Sequence, residues 1–177
     1  MLSIEFGLAY SQCYKALETL LKDLIHLKIE SDKTFKCLWL DDKEYSREHL
    51  KGGEEIFKLV KKAGGDRFKK YSKENAPNFR FKEMFKVFSE VRHSIIHSKG
   101  VFKTSRLPGN EYYKMLFEFL LPLNKFEGEF IPLKFEYKVV DRILMYLAEF
   151  GYQIFKILSE EDNYEWNYKK LQPKFEI

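Results

Sequence analysis

Three stretches of this chain carry apolar residues at the three-and-four spacing that closes on one face of an α-helix, and each face needs the others to cover it. In the first, Phe6, Tyr10, Cys13, Leu17, Leu20, Leu21 and Leu24 predict a helix from about Ser3 to about Glu30. In the last, Val139, Ile143, Leu147, Phe150, Ile154 and Ile157, widened by Val140, Leu144 and Leu158, predict a helix with a broad stripe that belongs at the centre of the fold. Between them, with Phe81 set at zero and about 100° per residue, Met84, Phe85, Phe88, Val91, Ile95 and Ile96 share one stripe. Lys82, Glu83, Lys86, Glu90 and Ser94 fall opposite. Asn75-Ala76-Pro77-Asn78 offers a Pro and two caps, so this helix should begin near Asn78 and end near Gly100.

The remaining segments are shorter. Glu54 to Lys62 reads as a helix closed by Gly64-Gly65, whereas Ser31 to Leu50 has no sustained period. Between Leu116 and Tyr137, Ile131, Leu133 and Phe135 alternate with Pro132, Lys134 and Glu136, and Glu127-Gly128-Glu129 can turn the chain, which predicts a hairpin. The tail from Asn163 to Ile177 holds Tyr164, Trp166 and Lys169-Lys170 and does not declare whether it packs back. The expected fold is therefore mainly all-α: one domain over residues 1–177, a bundle of about four to five helices with a small β-hairpin between the last two long ones.

Composition excludes several classes. At 177 residues, 45% hydrophobic and 17% aromatic, the chain has too much apolar material for disorder. Two cysteines, Cys13 and Cys37, make neither a disulfide framework nor a Cys-x-x-Cys site, and both are expected in or near the core of a protein in a reducing compartment. With no signal-peptide pattern and no apolar run of membrane-spanning length, a cytoplasmic protein that does not enter a membrane is expected. A net charge of +4 is a weak pointer to nucleic acid.

The sharper signal is Arg92, which lands inside the apolar stripe between Phe85 and Phe88. A guanidinium keeps its proton and is almost never buried alone, so a carboxylate, a partner surface or a phosphate must meet it. Arg92-His93-Ser94-Ile95-Ile96-His97-Ser98-Lys99-Gly100 closes this helix. An Arg, four residues and a His at the end of an amphipathic helix in a small helical domain resembles the signature of the HEPN superfamily (higher eukaryotes and prokaryotes nucleotide-binding). Many of its members are metal-independent endoribonucleases that act as dimers, with the Arg and His of both protomers meeting in a shared cleft. The resemblance implies an active pair of Arg92 and His97, with His93 at the polar position beside the Arg where Asn is commonest. The position that holds a modifiable Tyr in some members is Lys99 here.

The same chemistry follows from residue type. Metal-free RNA cleavage needs a base for the 2′-hydroxyl, an acid for the leaving 5′-oxygen and a cation for the phosphoryl charge, and no cofactor. His97 stands in the last turn, where the helix dipole favours imidazolium. On a straight helix, however, Arg92 and His97 are separated by about 140° and about 7.5 Å of rise. Either the helix loosens at Ser94 to His97 or a two-fold partner supplies the complementary half, which predicts a homodimer with an interface around Arg92.

Lys99, Lys103 and Arg106 would meet an RNA chain leaving the motif, and the stretch Lys61-Lys62, Arg67, Lys69-Lys70 and Lys73 is a second candidate RNA track or a solvated loop. His93 and His97 stand at metal-compatible spacing without an evident third ligand, so no metal is expected. Three readings stay open. One is a ribonuclease acting as a toxin or phage-defence effector with an antitoxin or other defence partner. Another is a non-catalytic HEPN-like nucleotide-binding, partner-binding or oligomerisation module. The third is a plain helical protein in which Arg92 pairs internally with Glu18 or Glu149.

Overall fold

The computed structural model of the chain describes residues 2–35, 47–72 and 79–159. Cys37, Lys73, the capping residues Asn75 and Asn78, and the tail from Asn163 lie outside them. Helices α1 (Leu2–Ser31), α2 (Glu54–Tyr71), α3 (Phe81–His97), α4 (Glu111–Leu120) and α5 (Tyr137–Leu158) form a mainly all-α bundle with one two-stranded antiparallel sheet. Among the described residues no helix is long and apolar enough to cross a membrane.

The broad stripe of α5 is central, as its width requires. Val139, Ile143, Phe150 and Ile154 have no exposed surface, and the helix packs against α1, α2 and α4. Phe150 is the hub. Its ring lies 5.4 Å from Phe81, 6.0 Å from both Phe85 and Phe88 and 6.3 Å from Phe57, so α2, α3 and α5 meet on one aromatic cluster.

Helix α1 spans its expected length, yet its buried face is rotated. Tyr10, Tyr14, Leu17, Leu21, Ile25 and Ile29 point inward, whereas Cys13 is exposed rather than in the core and Leu20 remains 38% exposed. The two tyrosines set this face. Tyr14 packs on Phe85 at 6.1 Å, and the Tyr10 hydroxyl donates to the Phe88 carbonyl at 2.8 Å, which satisfies its polar end inside the core.

Helix α2 breaks where Gly64-Gly65 predicts, but the chain then resumes helical turns to Tyr71. Gly65 takes φ 50 and ψ −128, a conformation only glycine adopts freely, and the kink brings Phe68 beneath Phe57.

The sheet lies between the last two long helices, with strands that are distant in sequence. β1 (Val101–Lys103) pairs with β2 (Phe130–Pro132), Phe102 facing Ile131. The strand expected at Ile131 therefore forms, but its partner is the segment leaving α3. Leu116 to Leu120, expected in a hairpin, belong to α4, whose Tyr112, Tyr113, Leu116, Phe117 and Leu120 repeat at helical spacing behind an Asn110 cap that accepts the Tyr113 N–H. Leu133 N–H donates to the Gly100 carbonyl at 2.8 Å and Thr104 N–H to that of Glu129 at 3.0 Å, so the ribbon holds the end of α3.

Candidate functional site

Helix α3 stays regular through His97, without the loosening at Ser94 to His97 that would swing His97 toward Arg92. It closes on the Ser94 carbonyl, which accepts from Ser98 N–H at 3.1 Å and Gly100 N–H at 2.9 Å. Lys99 and Gly100 both take positive φ, 51 and 80. Ser94, expected on the polar face, is fully buried, because its hydroxyl donates to the Glu90 carbonyl at 2.9 Å and so needs no water.

Arg92 is half-buried on the side of α3 that faces α1. Among the described residues no carboxylate stands within ion-pair distance of it. Both internal partners considered for it are engaged elsewhere: Glu18 Oε1 accepts from Gly53 N–H at 2.7 Å and Glu149 Oε1 from Gln153 Nε2 at 2.9 Å. The guanidinium neighbours Tyr14, whose buried hydroxyl also lies beside Ser89 and Glu18. Burial pushes that phenol well above its ordinary value, and the Ser89 hydroxyl and, less strongly, the Arg92 charge oppose the push.

His93 and His97 share the next face, their rings 4.7 Å apart and inclined at 43°. His93 is half-buried and His97 exposed. Beside them runs a line of ion pairs: Lys86 Nζ to Glu90 Oε1 at 3.0 Å and Arg106 Nη1 to Glu90 Oε2 at 3.1 Å. Burial lowers the His93 titration below its ordinary 6.5, and the charges of Arg106 and His97 lower it further, so this imidazole is neutral at pH 7 and free to accept a proton. Because the unfolded chain then binds more protons, stability should rise with pH through the window just below about 6.5 and level off above it. Urea midpoints measured across that window should show the rise, and His93→Gln should remove the His93 part of it.

The other candidates divide into two groups. Lys99, Lys103 and Arg106 follow the motif closely. Lys99 is exposed, Arg106 reaches Glu90 beside His93, and Lys103 reaches Glu129 at 3.6 Å across the sheet. Lys69 and Lys70 do not join them. The neighbouring Phe68 packs on Phe81 at the first turn of α3, which is about 24 Å of helix rise from His97, and Lys69 pairs with Asp66 at 2.7 Å. Among the described residues no group of three or more His, Cys, Asp and Glu could hold a metal. Sequence reasoning missed Tyr14 and Glu90 as parts of the site. Tyr14 is signalled only by standing four residues after Tyr10, and Glu90 only by its place between Lys86 and His93.

Lys99 holds a left-handed conformation that costs an L-residue about 1 kcal/mol or more and that glycine adopts without strain. Lys99→Gly should therefore stabilise the fold by about 0.5–1 kcal/mol, read from the urea midpoint. If the cation serves RNA, the same variant should bind RNA more weakly.

Comparison with known protein families, with curated proteins and with solved structures finds nothing that matches this chain.

Proposed function

We propose that this chain is a HEPN-like, metal-independent endoribonuclease that works as a homodimer, with Arg92 and His97 as its active pair and His93 beside them. The observation that carries the reading is a half-buried guanidinium without a carboxylate partner among the described residues, one helical face away from a close pair of histidines. A permanent cation left in that position is suited to an anion that comes and goes. In the proposed reaction the 2′-oxygen loses its proton to a histidine and bonds to phosphorus, the bond from phosphorus to the 5′-oxygen breaks, and the leaving oxygen takes a proton from a second histidine. Arg92 offsets the charge on the phosphoryl oxygens. The products are a 2′,3′-cyclic phosphate and a free 5′-hydroxyl.

Arg92 and His97 project from different faces of a regular helix, and for this reason a second copy is part of the proposal. Ile4, Leu8, Ile96 and Val101 are exposed apolar residues at this end of the molecule, and a groove of about 350 Å³ between Ile4, Leu8, Ile95, Lys99, Leu133 and Phe135 adjoins them. Such a surface favours a protein partner. The cellular role we propose is a cytoplasmic toxin or phage-defence effector held in check by a partner protein.

The test is incubation of purified protein with a structured and an unstructured RNA in excess chelator, together with light scattering at micromolar concentration. Cleavage to cyclic-phosphate ends by a dimer is the expected result. A folded dimer that cleaves neither RNA would transfer the site to the second reading, a non-catalytic nucleotide- or partner-binding module, which the separation of Arg92 from His97 in one chain favours. A monomer would overturn the shared-site arrangement.

A further inference from the structure

A second cationic site lies away from the motif, where the first turns of α2 meet the N-terminal half of α3. Lys58 and Lys61 stand three apart on α2, Lys82 and Lys86 four apart on α3, so each pair shares a helical face. Two contacts bring the faces together: the Phe57 and Phe85 rings stack at 4.8 Å, and Lys86 Nζ meets Glu54 Oε1 at 2.9 Å. The result is a cleft of about 380 Å³ whose rim carries the four lysines and whose floor is Phe57 and Phe85, with Pro108 and Tyr113 on the wall. That volume falls within the range of small-molecule sites.

The cleft carries more positive charge than its carboxylate balances. Lys86 is shared between Glu54 and Glu90 and is already compensated. Lys58, Lys61 and Lys82 have no ion pair among the described residues, and Glu54 is the single carboxylate lining the cleft with them. Lys58, Lys61 and Lys82 outnumber Glu54, the carboxylate that lines the cleft with them, and a multivalent anion would relieve their mutual repulsion. An independent observation points into the same space. The Tyr113 ring is buried and lines the cleft, while its hydroxyl reaches the solvent-facing side with no hydrogen-bond partner among the described residues, so a donor is available to a ligand atom. Tyr112 beside it, by contrast, accepts the Arg80 N–H at 2.8 Å.

We infer that this cleft binds a nucleoside phosphate: phosphates on Lys58, Lys61 and Lys82 and the Tyr113 hydroxyl, and the flat base against the apolar floor and Pro108. Lysines alone would accept any polyanion. The aromatic floor selects one with a planar apolar body. The site is separate from Arg92 and His97 and does not depend on the cleavage chemistry proposed for them.

The experiment is calorimetric titration of the full chain with ADP and, separately, with inorganic pyrophosphate. ADP should bind more tightly than pyrophosphate, and raised salt should weaken it. Lys58→Ala combined with Lys82→Ala should weaken ADP binding at least about ten-fold, and Tyr113→Phe, which keeps the ring packing, by about ten-fold. Both variants alter solvent-facing atoms, and circular dichroism checks that they fold. Arg92→Ala and His97→Ala proteins should bind ADP as the wild type does, whether or not they cleave RNA. Three results would overturn the inference: no ADP binding, equal affinity for pyrophosphate, or ADP binding that survives the lysine substitutions and is lost with Arg92→Ala.

Discussion

RNA cleavage should fall by about 10²–10⁴-fold in His97→Ala, the range expected when a proton-transferring side chain is removed. Arg92→Ala should lose about 10²–10³-fold through the unbalanced phosphoryl charge. His97 is exposed and Arg92 half-buried without an ion pair among the described residues, so both variants should keep the wild-type fold by circular dichroism. Arg92→Lys restores the charge but not the planar fork, and its cleavage should lie between the two. The decisive arm mixes the inactive proteins. If Arg92 of one copy serves the same phosphate as His97 of the other, a mixed dimer carries one intact site, and an equilibrated mixture should recover about a quarter of wild-type cleavage. No recovery would mean either that both groups act from one protomer, which the regular α3 helix speaks against, or that one cleft needs the Arg and His of both copies.

The largest stability effect is expected at Phe150. Four aromatic rings from α2 and α3 pack on it, and it has no exposed surface, so Phe150→Ala leaves a cavity that neighbouring rings cannot collapse to fill. The cost should be about 3–5 kcal/mol. For a chain of this size that is a fall in Tm of roughly 6–20 °C, and it is a large share of a typical total stability. Phe150→Leu keeps most of the volume and should cost less than about half as much. Urea and thermal unfolding followed by circular dichroism would read both. A Phe150→Ala protein within about 1 kcal/mol of wild type would mean that the aromatic cluster is not the keystone of the bundle.

Helices α3 and α5 were legible because their apolar residues repeat over many turns and few alternatives bury them. The limits of that signal are equally physical. Hydrophobic period treats Cys13 as a core residue and ignores the hydroxyl of Tyr14, yet the tyrosine ring covers more apolar area and takes the inward place. It put Ser94 outside because a hydroxyl looks polar, although one bond to Glu90 makes it self-sufficient. The strand at Ile131 was visible from alternation, but its partner, Val101–Lys103, lies on the far side of α4 in the sequence and is brought to it by the fold, with Phe102 packed on Phe117 of α4. At the site, Arg92 declared itself by standing in an apolar stripe. The pairing of His93 with His97 follows from helical spacing alone, whereas the Glu90 to Arg106 link joins separate elements and needed the fold. The lysine cleft was out of reach for the same reason: two unremarkable surface faces acquire meaning only where they converge.

The ribbon that holds the end of α3 has a consequence for synthesis. Gly100 receives its bond from Leu133, and Thr104 donates to Glu129, so roughly thirty further residues must leave the ribosome before the motif's end can adopt its final arrangement. A nascent chain that already exposes Arg92 and His97 is therefore incomplete at that end. If the chain is the ribonuclease proposed above, that delay keeps the end of its motif unfinished until most of the chain has been made.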